Sequence, residues 1–206
     1  MHPALESLIT GFSFSGVLKE DAPAFLVFHE CPNTAAHTRS VVEKTQLLAA
    51  RFDLDSASGE AAAWLHDISA VFPNEERLEI SQQLGLEILP QEAQVPLLLH
   101  QKISAVVAEE IFGIRAAEVL DAIRCHTTLK PKPTPLEVLV FAADKLAWDQ
   151  KGNPPYLPEM EAALEHSLEA AIWVYQRYLW HSGKAKVIHP WMQGSFLELK
   201  AKYEFM

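Results

Sequence analysis

Residues 63–72 read AWLHDISAVF, an apolar run that holds His66 and Asp67 side by side. Imidazole and carboxylate bind metals and move protons. Neither sits among apolar residues without cost unless something satisfies it. Four more residues of these two types fall on helix faces that the periodicity predicts to point inward: His37, His100, His126 and Asp144. His37 lies four residues before Val41, on a stripe continued by Thr45, Leu48 and Phe52. His100 shares a face with Ile103, Val107 and Ile111, and His126 closes a helix on the face of Val119, Ala122 and Ile123. Asp144 sits among Val140, Phe141, Ala147 and Trp148. The assignments rest on the 3.6-residue period of an amphipathic helix.

A lone inward histidine is most often a satisfied core residue, and a lone aspartate a cap or an ion-pair partner. Together the six read differently. A buried carboxylate costs several kcal/mol unless it is paired, and no Lys or Arg stands at a spacing that neutralises both aspartates. Divalent cations would satisfy all six groups, and oxygen and imidazole donors suit Fe, Mn or Zn. Six ligands would saturate one octahedral ion. Divided between two ions, with Asp67 as the bridge, they leave positions for water and for substrate oxygens. Coordination lowers the pKa of water from about 15.7 towards about 7. The expected chemistry is hydrolysis by metal-activated water, with His66 and Asp67 as its catalytic pair.

These residues need helices to position them, and the chain reads as an all-α bundle. A helix is predicted from Thr34, and another over 56–72 with a Ser or Asp N-cap, ended by Pro73 and Asn74. Further helices are expected over 97–113 and 115–126, up to the KPKPTP break at 130–135. Thr134, Pro135 and Glu137 supply N-cap, N1 proline and N3 glutamate for a helix running to about Gln150. After GNPPYLP (152–158), one long helix is expected over 159–182 and a last one over 190–204. The organisation is then an N-terminal extension (1–33) packed on a core (34–182), with a C-terminal helix in 183–206.

Composition narrows the partners. Hydrophobic residues make up 49% and charged residues 21%, as in ordinary globular proteins. The net charge of −10, with no Lys/Arg stripe, excludes polymeric nucleic acid. No stretch reads as a membrane span or a leader, so a cytoplasmic location is expected. Cys31 and Cys125 form no CxxC pair, which argues against a disulfide framework or a thiolate metal knot. His2, His29, His166, His181 and His189 fall off the ordered pattern, and His181 and His189 are expected at the surface. The aromatic helix holding Trp173, Tyr175, Tyr178, Leu179 and Trp180 is either core packing or a homodimer face.

The ordered set of six resembles the HD-domain phosphohydrolase superfamily. HTRSV (37–41), AWLHDIS (63–69), DAIRCHT (121–127) and TPLEVLVFAAD (134–144) are similar to the YqeK-type symmetrical bis(5′-nucleosyl)-tetraphosphatases. The resemblance implies an HD-domain helical bundle with His37, His66, Asp67, His100, His126 and Asp144 as ligands. It implies Asp67 as the bridge, iron as the metal, and cleavage of diadenosine tetraphosphate to two ADP. Thr127 and Lys145 would be substrate-binding residues; a capping Thr and a solvated Lys are their bland alternatives. Gln101, Leu129 and Gln150 depart from the family pattern, at positions expected to grip phosphates or base. Another phosphate ester therefore stands as an alternative substrate: a nucleoside monophosphate, a cyclic nucleotide or (p)ppGpp. So does nucleotide binding without turnover.

Overall fold

The computed structural model describes residues 1–148 and 152–204, and among these there are helices and turns but no strand. In chain order the α-helices are α1 (Leu18–Phe28), α2 (Pro32–Phe52), α3 (Ser56–Leu65), α4 (Arg77–Gln83), α5 (Pro90–Gln94) and α6 (His100–Glu110). They continue with α7 (Ala117–Cys125), α8 (Pro135–Leu146), α9 (Leu157–Ala163), α10 (Leu168–His181) and α11 (Pro190–Tyr203). Short 3-10 turns occupy Pro3–Ile9, Ile68–Val71 and Pro96–Leu99. None of the described helices is long and apolar enough to cross a membrane.

The local signals act as their chemistry requires. Asp55 caps α3 by accepting from the amides of Ala57 and Ser58. Thr134 and Glu137 form a reciprocal capping box at the start of α8, behind Pro135 at N1. The Val41, Thr45 and Leu48 stripe of α2 is buried, and Phe52 is half-buried at its end.

Four expected helices are shorter than the periodicity suggests: that over 97–113 is α6 alone behind a 3-10 turn, that expected to reach about Gln150 ends at Leu146, and two more break internally. The helix over 56–72 stops at Leu65, so His66 is its C-cap and Asp67 lies in the turn before a 3-10 segment. The helix over 159–182 breaks after Ala163. Ser167 restarts the chain as α10, its hydroxyl accepting from the Ala170 amide. Apolar spacing cannot register either break, because Ile68 after the first, and Leu164 and Leu168 on either side of the second, are still buried.

Two apolar clusters fill the interior. One joins Val41 and Leu48 of α2, Leu139 and Phe141 of α8, Met160 of α9, Ile172 of α10 and Phe196 of α11. The other joins Leu5, Phe25 and Leu26 from the first 33 residues with Leu65, Ile103, Ile123 and Val140. Helices α3, α7 and α8 face both clusters, with Ala63, Cys125 and Leu139 on one side and Leu65, Ile123 and Val140 on the other. Their ends therefore meet at the seam between the clusters.

A separate polar cluster ties α11 to the body. Glu92 is fully buried, with Lys102 Nζ 2.7 Å from Oε2 and His189 Nε2 3.2 Å from Oε1. His189 Nδ1 accepts from the Trp191 amide, so Nε2 carries the proton given to Glu92. His189 is thus buried, not at the surface as expected: it caps α11 with one nitrogen and anchors it with the other. His181 is exposed.

Burial pushes the Glu92 carboxyl up, but the hydrogen bonds from His189, the Leu89 amide and Lys102 outweigh it and hold it below its ordinary 4.5. A carboxyl lowered on folding stabilises the fold above its unfolded pKa, and that contribution is lost as pH falls through the folded value. Glu92→Ala leaves Lys102 buried and unpaired, so urea unfolding at pH 7 should show a loss of about 3–5 kcal/mol. The gap to wild type should narrow as the pH is taken below 4.5.

Candidate metal centre

The six residues singled out by type and spacing come together at the seam. His66 and His126 are the C-caps of α3 and α7, His100 opens α6, His37 lies on α2 and Asp144 on α8. Asp67 stands in the middle. Its Oδ1 is 3.4 Å from both His100 Nε2 and His126 Nε2, and its Oδ2 is 3.5 Å from His66 Nε2. Asp144 Oδ1 is 3.1 Å from His37 Nε2 and 3.8 Å from His66 Nε2. The donor atoms group into two triads sharing Asp67, His37–His66–Asp67 and Asp67–His100–His126, each within 4.8 Å.

One local device orients three of the four rings. The Nδ1–H of His66, His100 and His126 donates to the carbonyl three residues back: Ala63 at 2.7 Å, Leu97 at 2.5 Å and Ile123 at 2.8 Å. That bond selects the tautomer whose Nε2 lone pair faces the centre, as in metal-ligating histidines. His66 Nε2 is buried and makes no hydrogen bond among the described residues. His100 Nε2 and His126 Nε2 lie 3.0 Å apart. Two nitrogens about 2.1 Å from one ion, at a right angle to each other, are also about 3.0 Å apart. The donor set therefore fits divalent cations.

Electrostatics favour the same protonation states. Burial keeps the His66 imidazole below its ordinary value and lowers that of His100 to about 4, so both are neutral at pH 7. Burial pushes Asp67 up, but the imidazoles of His66, His126 and His100 outweigh it and hold its carboxyl well below the usual range. Asp144 is likewise raised by burial and more strongly lowered by Lys145 and His37. Neutral imidazoles and ionised carboxylates are the forms that bind metal.

The cations missing from the sequence spacing are supplied through space. Lys145 Nζ is 2.5 Å from Asp144 Oδ2, and it also lies 5.2 Å from the Phe141 ring centroid and 5.6 Å from that of Tyr175. It is mostly buried, so the solvated-lysine alternative fails: its stem folds back along α8 onto the neighbouring carboxylate. Arg77 of α4 is buried, donates to the Leu97 carbonyl that also holds His100, and lies within electrostatic reach of Asp67. Nothing in the spacing of Arg77 announces this.

A cavity of about 540 Å³ opens onto His37, Asp144 and Lys145 and is walled by Trp148, Tyr156, Tyr175 and Tyr178. The aromatic helix thus packs inside the chain and also lines this cavity. Trp180 stacks on Phe196 at 4.1 Å, and Tyr175 meets Tyr156 edge-on at 4.9 Å. Sequence reasoning weighed this helix as core or homodimer face and missed its cavity side, because aromatic residues signal all three alike.

Thr127 faces the centre: its Oγ1 is 2.9 Å from His100 Nε2. Gln101 and Leu129 do not line a phosphate grip. Gln101 is fully buried and braces the turn, its Oε1 accepting from the amides of Thr127 and Thr128 at 3.2 and 3.3 Å. Leu129 is fully buried with φ +50°, the left-handed backbone for which glycine is suited. Gln150 lies outside the described residues.

The HD domain family model matches residues 34–149, and the chain belongs to the HD-domain family of metal-dependent phosphohydrolases. An uncharacterized protein in the pepC 5′ region of Lactococcus lactis subsp. cremoris is 41% identical over 131 residues, 64% of this chain and 67% of that one. The symmetrical bis(5′-nucleosyl)-tetraphosphatase of Bacillus subtilis (strain 168) is 34% identical over 110 residues, 52% of this chain and 58% of that one. The enzyme of the same name from Staphylococcus aureus (strain NCTC 8325 / PS 47) is 34% identical over 52% of this chain and 55% of its own length. The chain thus spans little more than half of these tetraphosphatases. The crystal structure of a predicted HD superfamily hydrolase involved in NAD metabolism, from Clostridium acetobutylicum, superposes with a TM-score of 0.80. At 22% identity, over 89% of this chain and 97% of that one, it shares the fold.

Leu129→Gly removes the backbone strain, worth about 1–2 kcal/mol, but deletes a fully buried side chain worth about 2–5 kcal/mol. Packing wins. Urea unfolding should show the variant less stable by about 1–3 kcal/mol; a stabilised variant would mean that backbone strain at Leu129 outweighs its burial.

Proposed function

We propose that this chain hydrolyses a dinucleoside polyphosphate, diadenosine tetraphosphate to two ADP, at the centre built around Asp67. The observation that carries the reading is the pair of donor triads sharing one carboxylate. Among its relatives, those named as symmetrical tetraphosphatases favour this substrate over other phosphate esters.

His37, His66 and Asp144 would hold one divalent cation and His100 and His126 a second, with Asp67 between them. Iron is the ion we favour, with Mn or Zn as alternatives for such donors. Cations held there would supply Lewis acidity and an activated water at neutral pH. The chain's own groups do the rest. Asp67, ionised at neutral pH, orients the attacking water. His66 is fixed by the Ala63 carbonyl, so its neutral Nε2 keeps its aim through turnover.

The water oxygen bonds to one of the two inner phosphorus atoms, and the bond from that phosphorus to the central bridging oxygen breaks. That oxygen leaves on the second ADP. Lys145 at the cavity wall and the hydroxyl of Thr127 offset and position phosphate charge in a chain of net charge −10. The cavity's aromatic walls suit a nucleobase, because every base offers a face for stacking.

His66→Ala and Asp67→Ala should each lower kcat/KM for diadenosine tetraphosphate at least 1,000-fold, about 4 kcal/mol of transition-state stabilisation. Far-UV circular dichroism should be unchanged, and metal analysis should find less cation per chain. Chelation should abolish wild-type turnover, and ADP should be the sole nucleotide product. Wild-type rates in either variant, or AMP and ATP as products, would refute the proposal.

A further inference from the structure

The aromatic cavity is not alone at the centre. A second one, about 670 Å³, lies between residues 94–98, Thr127 and residues 184–187, the segment joining α10 to α11. Both volumes fall within the roughly 300–1,000 Å³ of small-molecule sites. The second cavity reaches the centre through Thr127, beside His100, whereas the first reaches it through His37 and Asp144. One triad thus lends His37 to the wall of the first cavity, while the other is linked to the second through the Thr127–His100 contact.

Tyr175, Leu179 and Lys184 border both cavities and form the ridge between them. Lys184 donates to the Tyr178 hydroxyl at 2.8 Å, which holds its ammonium at the ridge. The walls are complementary in kind. The first cavity offers aromatic faces. The second offers the apolar surfaces of Pro96, Leu97, Val187 and Met192, with the amides of Asn74 and Gln94 placed to pair with polar edges. Its outer wall is fixed from behind by the buried His189–Glu92 hydrogen bond at 3.2 Å.

We propose that the second cavity is a nucleoside subsite, so that a dinucleoside polyphosphate lies with one nucleoside in each cavity. Its phosphates cross the Lys184 ridge between the two cavities. This rests on the reading given under Proposed function and deepens it: the central bond is cut because a nucleoside is gripped on either side of the triads. Lys184 is a specificity-determining residue in this arrangement, countering the inner phosphates that a mononucleotide lacks.

The test is titration of the purified, metal-containing protein with ADP by calorimetry, with hydrolysis products measured in parallel. Wild type should bind two ADP per chain. Val187→Trp and Ala185→Trp each put a bulky ring into the second cavity; each should bind one, with an unchanged melting temperature and a KM for diadenosine tetraphosphate at least 10-fold higher. Lys184→Met should raise that KM without changing the ADP count. One or no ADP on wild type, or two on both tryptophan variants, overturns the second subsite. If wild-type protein still yields ADP alone, those results leave the proposed reaction standing. Loss of ADP as the sole product removes the reaction itself.

Discussion

The centre depends on one repeated hydrogen bond, from imidazole Nδ1 to the carbonyl three residues earlier. His66, His100 and His126 all make it. A ring at a helix end lies over the last turn, and the carbonyl at i−3 is among those the helix leaves free or shares. The bond satisfies that carbonyl, fixes the tautomer and turns the Nε2 lone pair inward. Rigid backbone thereby aims soft side chains. Three inward lone pairs so close together repel unless a proton or a cation lies among them. Burial works against the proton at His66 and His100, and a divalent cation suits such a set of donors.

The same logic explains why the site sits at a seam rather than within a core. A helix interior consumes its own carbonyls; a helix end offers them. The ends of α3 and α7 meet where the two apolar clusters adjoin, and α8 runs between both clusters, carrying Asp144. Dense packing on either side limits the freedom of each ligand, while the seam leaves room for ligands to enter. Lys145 and Arg77 then compensate the carboxylates in a strongly acidic chain, one by contact and one at longer range.

Much of this was legible from residue types and spacing. The helical period places His37, His126 and Asp144 on inward faces without any structure, and the Thr134–Pro135–Glu137 signature marks the start of α8. What period cannot reveal is where a buried helix stops. His66 and Asp67 look like faults inside a helix over 56–72, yet they are the end of α3 and the turn beyond it. The apolar pattern runs on because the following 3-10 turn also packs inward. Ser167 caps α10, but the hydrophobic stripe on either side of it masks the break.

Contacts between distant segments were the harder class. His189 looks like a surface residue near a Ser-Gly turn because its partner, Glu92, is 97 residues away. Lys184 carries no local pattern, and its place on a ridge is set by how α10 packs against α8 and how the 184–187 segment returns towards α5. Gln101 and Leu129 teach the converse. Their departure from the family pattern suggests altered specificity, but both are buried behind the Thr127 turn. Gln101 holds that turn by its backbone amides, and Leu129 keeps the left-handed bend that glycine would supply more cheaply. A residue can thus differ beside a site while preserving its backbone.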